Sequence, residues 1–353
     1  MSKRNSALLL LSFIFPLVGG CLTSQEIVPA GDWEIKYSHS LSKFPIKRIE
    51  FSPDSELLFV GALYDNAKVL ATDSGAVDGS LTFQGKLINA SFISDSSNVA
   101  LAYSDGRVQL MDSRLDSRHA EYLFPVEAKK ADFSKEGRYV AYGNYLYDFE
   151  GKELNHFAVK YDFQTGLSFS NNDILVASGF RDRAVYVVDP ARDRKVTWKA
   201  SGDVLASAIS SDGSRAFIAL DGGVIQVWDV GDAPSLENEL DLGESAELIS
   251  LSEDGKILSV VGKDDISIVS AEALKVLSRK KNEETNVVRI QDNGLVLVGA
   301  YSGAVDFWNE GLKAFHRLKI ADESVTALDY STQKKLIAIG TANGQVYLVR
   351  WPL

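Results

Sequence analysis

"SAISSDGSRAFIALDGGVIQVWD", residues 207–229, contains the plan of the whole chain in one stretch. An apolar segment ends at Ile209 and passes through Ser210 into the turn Ser211-Asp212-Gly213. A second apolar segment runs from Arg215 to Leu220, and the tight turn Asp221-Gly222-Gly223 leads to a third, which ends in Asp229. Asp-Gly and Gly-Gly pairs suit hairpin turns because these residues tolerate positive φ. A helical reading would place turn formers inside helices every eight or so residues, so the segments read as strands.

The same unit recurs to either side. It is found at residues 49–73 ("IEFSPDSELLFVGALYDNAKVLATD"), 90–112, 131–149, 167–189, 249–270, 288–309 and 328–351. The aromatic or aliphatic residue that closes each first strand falls at Phe51, Phe92, Phe133, Phe169, Ile209, Leu251, Ile290 and Tyr330, with spacings of 41, 41, 36, 40, 42, 39 and 40 residues. Eight copies of three short strands at this period predict an all-β fold, a β-propeller. Segments between units, such as "HAEYLFP", "LENELDL" and "KAFHRLK", supply a fourth, outer strand. The last unit runs into the C-terminus without one, and "DWEIKYSHS" (32–40) has the alternation to provide it, closing the ring and removing an exposed edge. The expectation is eight four-stranded blades in one domain over residues 33–353, with seven blades if the irregular third unit is not a full blade.

"VIQVWD" (224–229) and "AVDFWN" (304–309) mark the units as similar to WD repeats, a resemblance covering residues 33–353; the Gly-His pair of that family is missing from every unit. "VVDPARDRKVTW" (187–198), which reaches Trp198 nine residues after Asp189, resembles one copy of the tryptophan-docking repeat of quinoprotein propellers. One copy does not support a quinone site, and no cofactor is expected. Trp33, Trp198, Trp228, Trp308 and Trp351 are expected to pack between blades.

The N-terminus carries a different message. Lys3 and Arg4 precede the apolar run Ala7 to Val18, and Gly19 and Gly20 precede Cys21, the only cysteine. A charged start, a short apolar stretch and small residues at the cleavage point make a secretory signal, and the 12-residue run is shorter than the roughly 20 residues of a membrane-spanning helix. "Val18-Gly19-Gly20-Cys21" resembles the lipobox of bacterial lipoproteins. That resemblance implies cleavage between Gly20 and Cys21, lipidation of Cys21, and residues 21–32 as a lipidated tether. Leu22, where that family uses Asp for inner-membrane retention, implies the outer membrane. The expected location is the bacterial cell envelope, facing the periplasm if the host is Gram-negative. An exported body without cysteine can form no disulfide and depends on its core for stability. Removing residues 1–20 takes away two positive charges and no negative one, so −11 becomes −13. So acidic a body does not attract nucleic acid.

Chemistry is sparse. His39, His119, His156 and His316, the four histidines, all fall on predicted outer strands, the farthest positions from a central channel, so no metal or His-based acid–base pair is expected there. His119 and Glu121 share one strand face but lack a third ligand. No Gly-x-Ser-x-Gly elbow, phosphate-binding loop or calcium loop is present. An enzyme is therefore not expected.

One asymmetry points to a partner. In propellers of this kind one face is built from the loops leading into each first strand and from the turns between second and third strands. The lead-in loops of the first three units carry Lys43, Lys86 and Lys129, while those of the last four carry Asp203, Glu244, Glu283, Glu284, Asp322 and Glu323. Arg181 and Arg183 lie in a turn of the fourth unit, and Tyr64, Tyr103 and Tyr301 near equivalent turns. The expectation is a monomeric, lipid-anchored, non-catalytic scaffold that docks an envelope protein on this face, similar in plan to the propeller lipoprotein of outer-membrane protein assembly. The alternative is an enzyme or small-ligand binder that uses the central channel.

Overall fold

The computed structural model describes residues 33–93, 97–158, 164–252, 254–282, 284–291, 294–309 and 314–350. Gly20, Cys21, the segments 1–20 and 21–32, Glu283 and Trp351 lie outside the described residues. Among the described residues the strands form eight four-stranded antiparallel sheets, seven of them paired in chain order, arranged as the blades of a propeller. The first strands, which wall the central channel, are Ile46–Phe51, Leu87–Ile93, Ala131–Phe133, Gln164–Phe169, Val204–Ile209, Ala246–Leu251, Thr285–Ile290 and Val325–Ser331. The third unit is a full blade after all, so the seven-blade alternative falls. Its strands Ala131–Phe133, Tyr139–Tyr142, Tyr145–Asp148 and Glu153–His156 are only three or four residues long, which explains the short 36-residue spacing.

Closure follows the expected route. Glu34–Ser40 pairs antiparallel with Gln345–Arg350, from Glu34 opposite Arg350 to Ser40 opposite Gln345, and becomes the outer strand of blade 8. The chain then passes directly into blade 1, with the Leu41 N–H donating to Gly344 O at 2.9 Å.

In six of the eight units a serine stands directly after the repeat's Phe, Ile, Leu or Tyr, and it has a structural task. Its hydroxyl accepts a backbone N–H from the far side of the turn: Leu57 to Ser52 (2.9 Å), Tyr139 to Ser134 (3.0 Å), Ile174 to Ser170 (3.0 Å), Arg215 to Ser210 (2.9 Å), Ile257 to Ser252 (3.0 Å) and Lys334 to Ser331 (3.0 Å). A buried turn thus satisfies a donor that water cannot reach.

The glycine near the end of the second strand has another. A Cβ at Gly61, Gly299 or Gly340 would lie 2.6 Å from Leu87, Val325 or Ile46 respectively, side chains that open the next blade's first strand. Blades converge toward the axis, and only a residue without a side chain leaves room there. Between blades 8 and 1 the buried core joins Ile46, Leu58 and Val60 to Leu336, Ala338 and Val346. Trp33 packs on Phe307 with centroids 4.5 Å apart, Trp198 of blade 4 packs on Trp228 of blade 5 at 5.1 Å, and Trp308 is 3% exposed, so these tryptophans lie where expected.

Gly340→Ala places a methyl group against Cβ and Cγ2 of Ile46, which cannot swing away. The variant should lose about 1–3 kcal/mol of stability. Chemical denaturation measures this, and an unchanged midpoint would mean that blades 8 and 1 are not in contact there.

Candidate protein-interaction face and central channel

The lead-in loops and the second-to-third-strand turns share one face because antiparallel pairing returns the chain to the same side every second strand. Side-chain contacts between them bear this out. The Ser42 hydroxyl in the loop before blade 1 donates to Asp65 in that blade's turn at 2.9 Å, and Ser245 before blade 6 donates to Asp221 in the turn of blade 5 at 2.7 Å.

All the anticipated charged residues within the described segments lie on this face. Lys43, Lys86 and Lys129 are exposed on the loops into blades 1, 2 and 3, and Arg181 is exposed in the turn of blade 4. The opposite half is less acidic than its residue count suggests, because cations from neighbouring elements fold onto it. Asp203 accepts from Arg183 Nε at 2.9 Å, Glu284 is 3.4 Å from Arg317, and Asp322 is 3.8 Å from Lys319. Glu244 accepts the Asp264 N–H at 3.0 Å, so it braces a turn as well as carrying charge. Glu323 remains exposed.

Tyrosines divide. Tyr301 is 62% exposed and Tyr64 38% exposed, and Tyr64 meets Phe44 edge-on at 5.3 Å with Lys43 Nζ over the Phe44 ring. Tyr103, expected near an exposed turn, is instead fully buried. It ends the second strand of blade 2 facing Phe83, donates its hydroxyl to Gln109 Oε1 at 3.0 Å, and cannot meet a partner. Leu248, on the first strand of blade 6, is 54% exposed.

The four histidines are all on outer strands, as expected: His39 in Glu34–Ser40, His119 in Arg118–Leu123, His156 in Glu153–His156 and His316 in Ala314–Lys319. Glu121 beside His119 is committed to Gln109 Nε2 (2.6 Å) and to Arg118. Among the described residues no three His, Cys, Asp or Glu side chains are grouped to hold a metal.

The channel contains charges that the period alone does not reveal. The residue just before each repeat's Phe, Ile, Leu or Tyr faces the axis, and at Glu50, Asp132, Arg289 and Asp329 it is ionisable. Three of these carboxylates bridge successive blades. Asp329 of blade 8 accepts the Phe51 N–H of blade 1 at 2.7 Å, and Asp132 of blade 3 accepts the Phe169 N–H of blade 4 at 3.0 Å. Glu50 of blade 1 accepts the Phe92 N–H (3.2 Å) and the Ser91 hydroxyl (2.8 Å) of blade 2. Glu50 also holds Arg48 in an ion pair at 2.5 Å, and Arg48 Nε donates to Ala90 O at 2.8 Å. A charged residue inside an otherwise apolar strand, repeating at the same position, is the signal that could have found this layer.

Below it the channel widens into a cavity of about 930 Å³ that reaches the opposite face. It is lined by Arg48, Glu50, Arg289 and Asp329 on one side, by apolar residues such as Leu167 and Ile249 on the other, and by the first-to-second-strand turns at its exit. Burial pushes Asp132 and Asp329 up to about 6, against the favourable pull of the N–H donors and of Arg48 and Arg289. Such a buried array can hold and orient a polar ligand, but it contains no nucleophile–base pair of the kind that drives acyl transfer.

No family model and no curated protein matches this sequence. Among solved structures, the crystal structure of the computationally designed Ika8 protein is similar with a TM-score of 0.73 at 17% identity, over 88% of this chain and 97% of the designed one. That likeness concerns the fold alone.

Because Asp132 and Asp329 hold their protons more tightly folded than unfolded, stability on their account is greatest near pH 4 and falls as the pH rises through about 6. Asp132→Asn keeps an oxygen for the Phe169 N–H and removes the titration. The melting temperature of this variant should fall less between pH 4 and 7 than that of the wild type in calorimetry. Identical slopes would show that Asp132 is not desolvated.

Proposed function

We propose that this protein is a non-catalytic propeller scaffold whose lead-in-loop face docks another protein, with the body tethered to a membrane through a lipidated Cys21. The observation that carries the reading is the composition of that face. Lys43 and Lys86, exposed and without an ion-pair partner among the described residues, lie on consecutive blades beside the half-exposed Phe44–Tyr64 pair, with Tyr301 exposed elsewhere on the same side. Aromatic and long cationic side chains are favoured where partners dock, and one-signed charge accelerates encounter with an oppositely charged surface. The compensated acidic half shifts the weight to the basic blades 1–3, so the partner's matching surface is acidic.

A rigid ring suits this task because it presents many loops with little loss of conformational freedom on binding. The lipobox-like Val18-Gly19-Gly20-Cys21 supports envelope anchoring, and the short segment 22–32 would hold the propeller close to the bilayer. Residues that resemble WD repeats support the interaction role at the level of fold class only.

The test is a crosslinking pull-down from solubilised membranes with full-length protein, Lys43→Glu/Lys86→Glu/Lys129→Glu, and Cys21→Ala side by side. One stoichiometric acidic-surfaced envelope protein is expected with the wild type, reduced ten-fold or more with the triple reversal. Cys21→Ala should move the chain from the membrane to the soluble fraction. Equal recovery of the partner by the triple reversal would refute the docking face, and unchanged fractionation of Cys21→Ala would refute the anchor.

A further inference from the structure

The first strands do not line the channel alike all the way round. At the axis-facing position just before each repeat's Phe, Ile, Leu or Tyr, blades 7, 8, 1 and 3 carry Arg289, Asp329, Glu50 and Asp132. Blades 4, 5 and 6 carry Ser168, Ala208 and Ser250 there. These small side chains leave room on one arc of the ring, and all three lie in the wall of the cavity of about 930 Å³.

That arc is also apolar. Leu167, Ile249 and Leu251 line the cavity and are only half-buried, whereas Ile49 and Phe51, at the matching positions of blade 1, are buried. Leu248 lies two residues before Ser250, on the same strand face, and is 54% exposed. Apolar surface that faces a solvent-accessible cavity is stabilised when an apolar group covers it.

The opposite arc carries the charges. Arg48 is committed to Glu50 in an ion pair at 2.5 Å and to Ala90 O at 2.8 Å. Glu50 and Asp329 accept backbone N–H groups of the next blades, and Lys135 and Glu136 add one charge of each sign at the exit. Arg289 differs. Among the described residues its guanidinium makes one hydrogen bond, at 3.4 Å to Val288 O on its own strand, and no ion pair, so most of its five N–H donors are open to the cavity it lines. Burial lowers Arg289 from the ordinary arginine range and the Arg48 charge lowers it further, with Asp329 and Glu50 pulling the other way. A guanidinium withdrawn from bulk water is stabilised most by an anion that meets its N–H groups directly.

We propose that the central cavity binds an amphipathic monocarboxylate, with the carboxylate on the Arg289 guanidinium and the apolar chain against Leu167, Ile249 and Leu251. The planar guanidinium fork matches a carboxylate through two parallel hydrogen bonds. A single open guanidinium, with the carboxylates of Glu50 and Asp329 in the same layer, disfavours a doubly charged phosphate. The apolar arc selects the other end of the ligand, because a small polar acid would leave it uncovered. This site lies inside the ring, apart from the lead-in loops, and is independent of the docking reading.

Isothermal titration of the full-length protein with octanoate, butyrate and octylamine, against a blank of the same detergent buffer, tests this. Octanoate should bind one-to-one and raise the melting temperature, butyrate should bind ten-fold or more weakly, and octylamine should not bind. Arg289→Gln should weaken octanoate binding ten-fold or more. Ser250→Phe, which fills the cavity and leaves Arg289 in place, should do the same, so this variant and the ligand series decide the question even if Arg289→Gln does not fold. No saturable binding of octanoate, equal affinity for butyrate or octylamine, or undiminished octanoate binding by either folded variant would each overturn the proposal.

Discussion

Pairing of Glu34–Ser40 with Gln345–Arg350 is the interaction on which the rest of the molecule depends. A blade has two apolar faces, and each is covered only by a neighbour, so an open row of eight would leave two faces and an edge bare. Drawing the outer strand of blade 8 from the N-terminal end of the propeller makes closure a matter of six paired backbone positions rather than of side-chain packing alone. The chain then enters blade 1 directly, and Ile46 fills the space that Gly340 leaves open. Asp329 adds a bond across the same junction through the Phe51 N–H.

Closure also fixes the functional surfaces. Because seven of the eight first strands shift register at the same place near their start, the residue placed there decides what the channel mouth offers. Thr326 and Asn286 tie blades together, whereas Lys47 is left to face solvent. One layer lower, carboxylates take backbone N–H groups from the next blade, and Arg48 is held between Glu50 and Ala90 O in the same layer. The fold is thus nearly uniform around the ring, while charge is concentrated in blades 1–3, 7 and 8.

Much of this was legible in the sequence, for local reasons. The serine after most first strands and the glycine near the end of several second strands have tasks within one turn or one junction, so they recur from copy to copy and betray the period. The outer-strand histidines followed from the same register. What escaped was set by neighbours distant in sequence. Tyr103 looks like its counterparts Tyr64 and Tyr301 until blade 2 folds it inward against Phe83. Asp203, Glu284 and Asp322 look like a free acidic sector until Arg183, Arg317 and Lys319 fold onto them.

The most direct measurement of the central claim is the thermal unfolding and oligomeric state of a chain that begins at Leu41, set against one that begins at Trp33. Loss of the closing strand should lower the melting temperature by about 10 °C or more and expose the edge of Gln345–Arg350 to association with other copies. A truncated protein that melts at the same temperature and stays monomeric at high concentration would show that the ring does not depend on this closure.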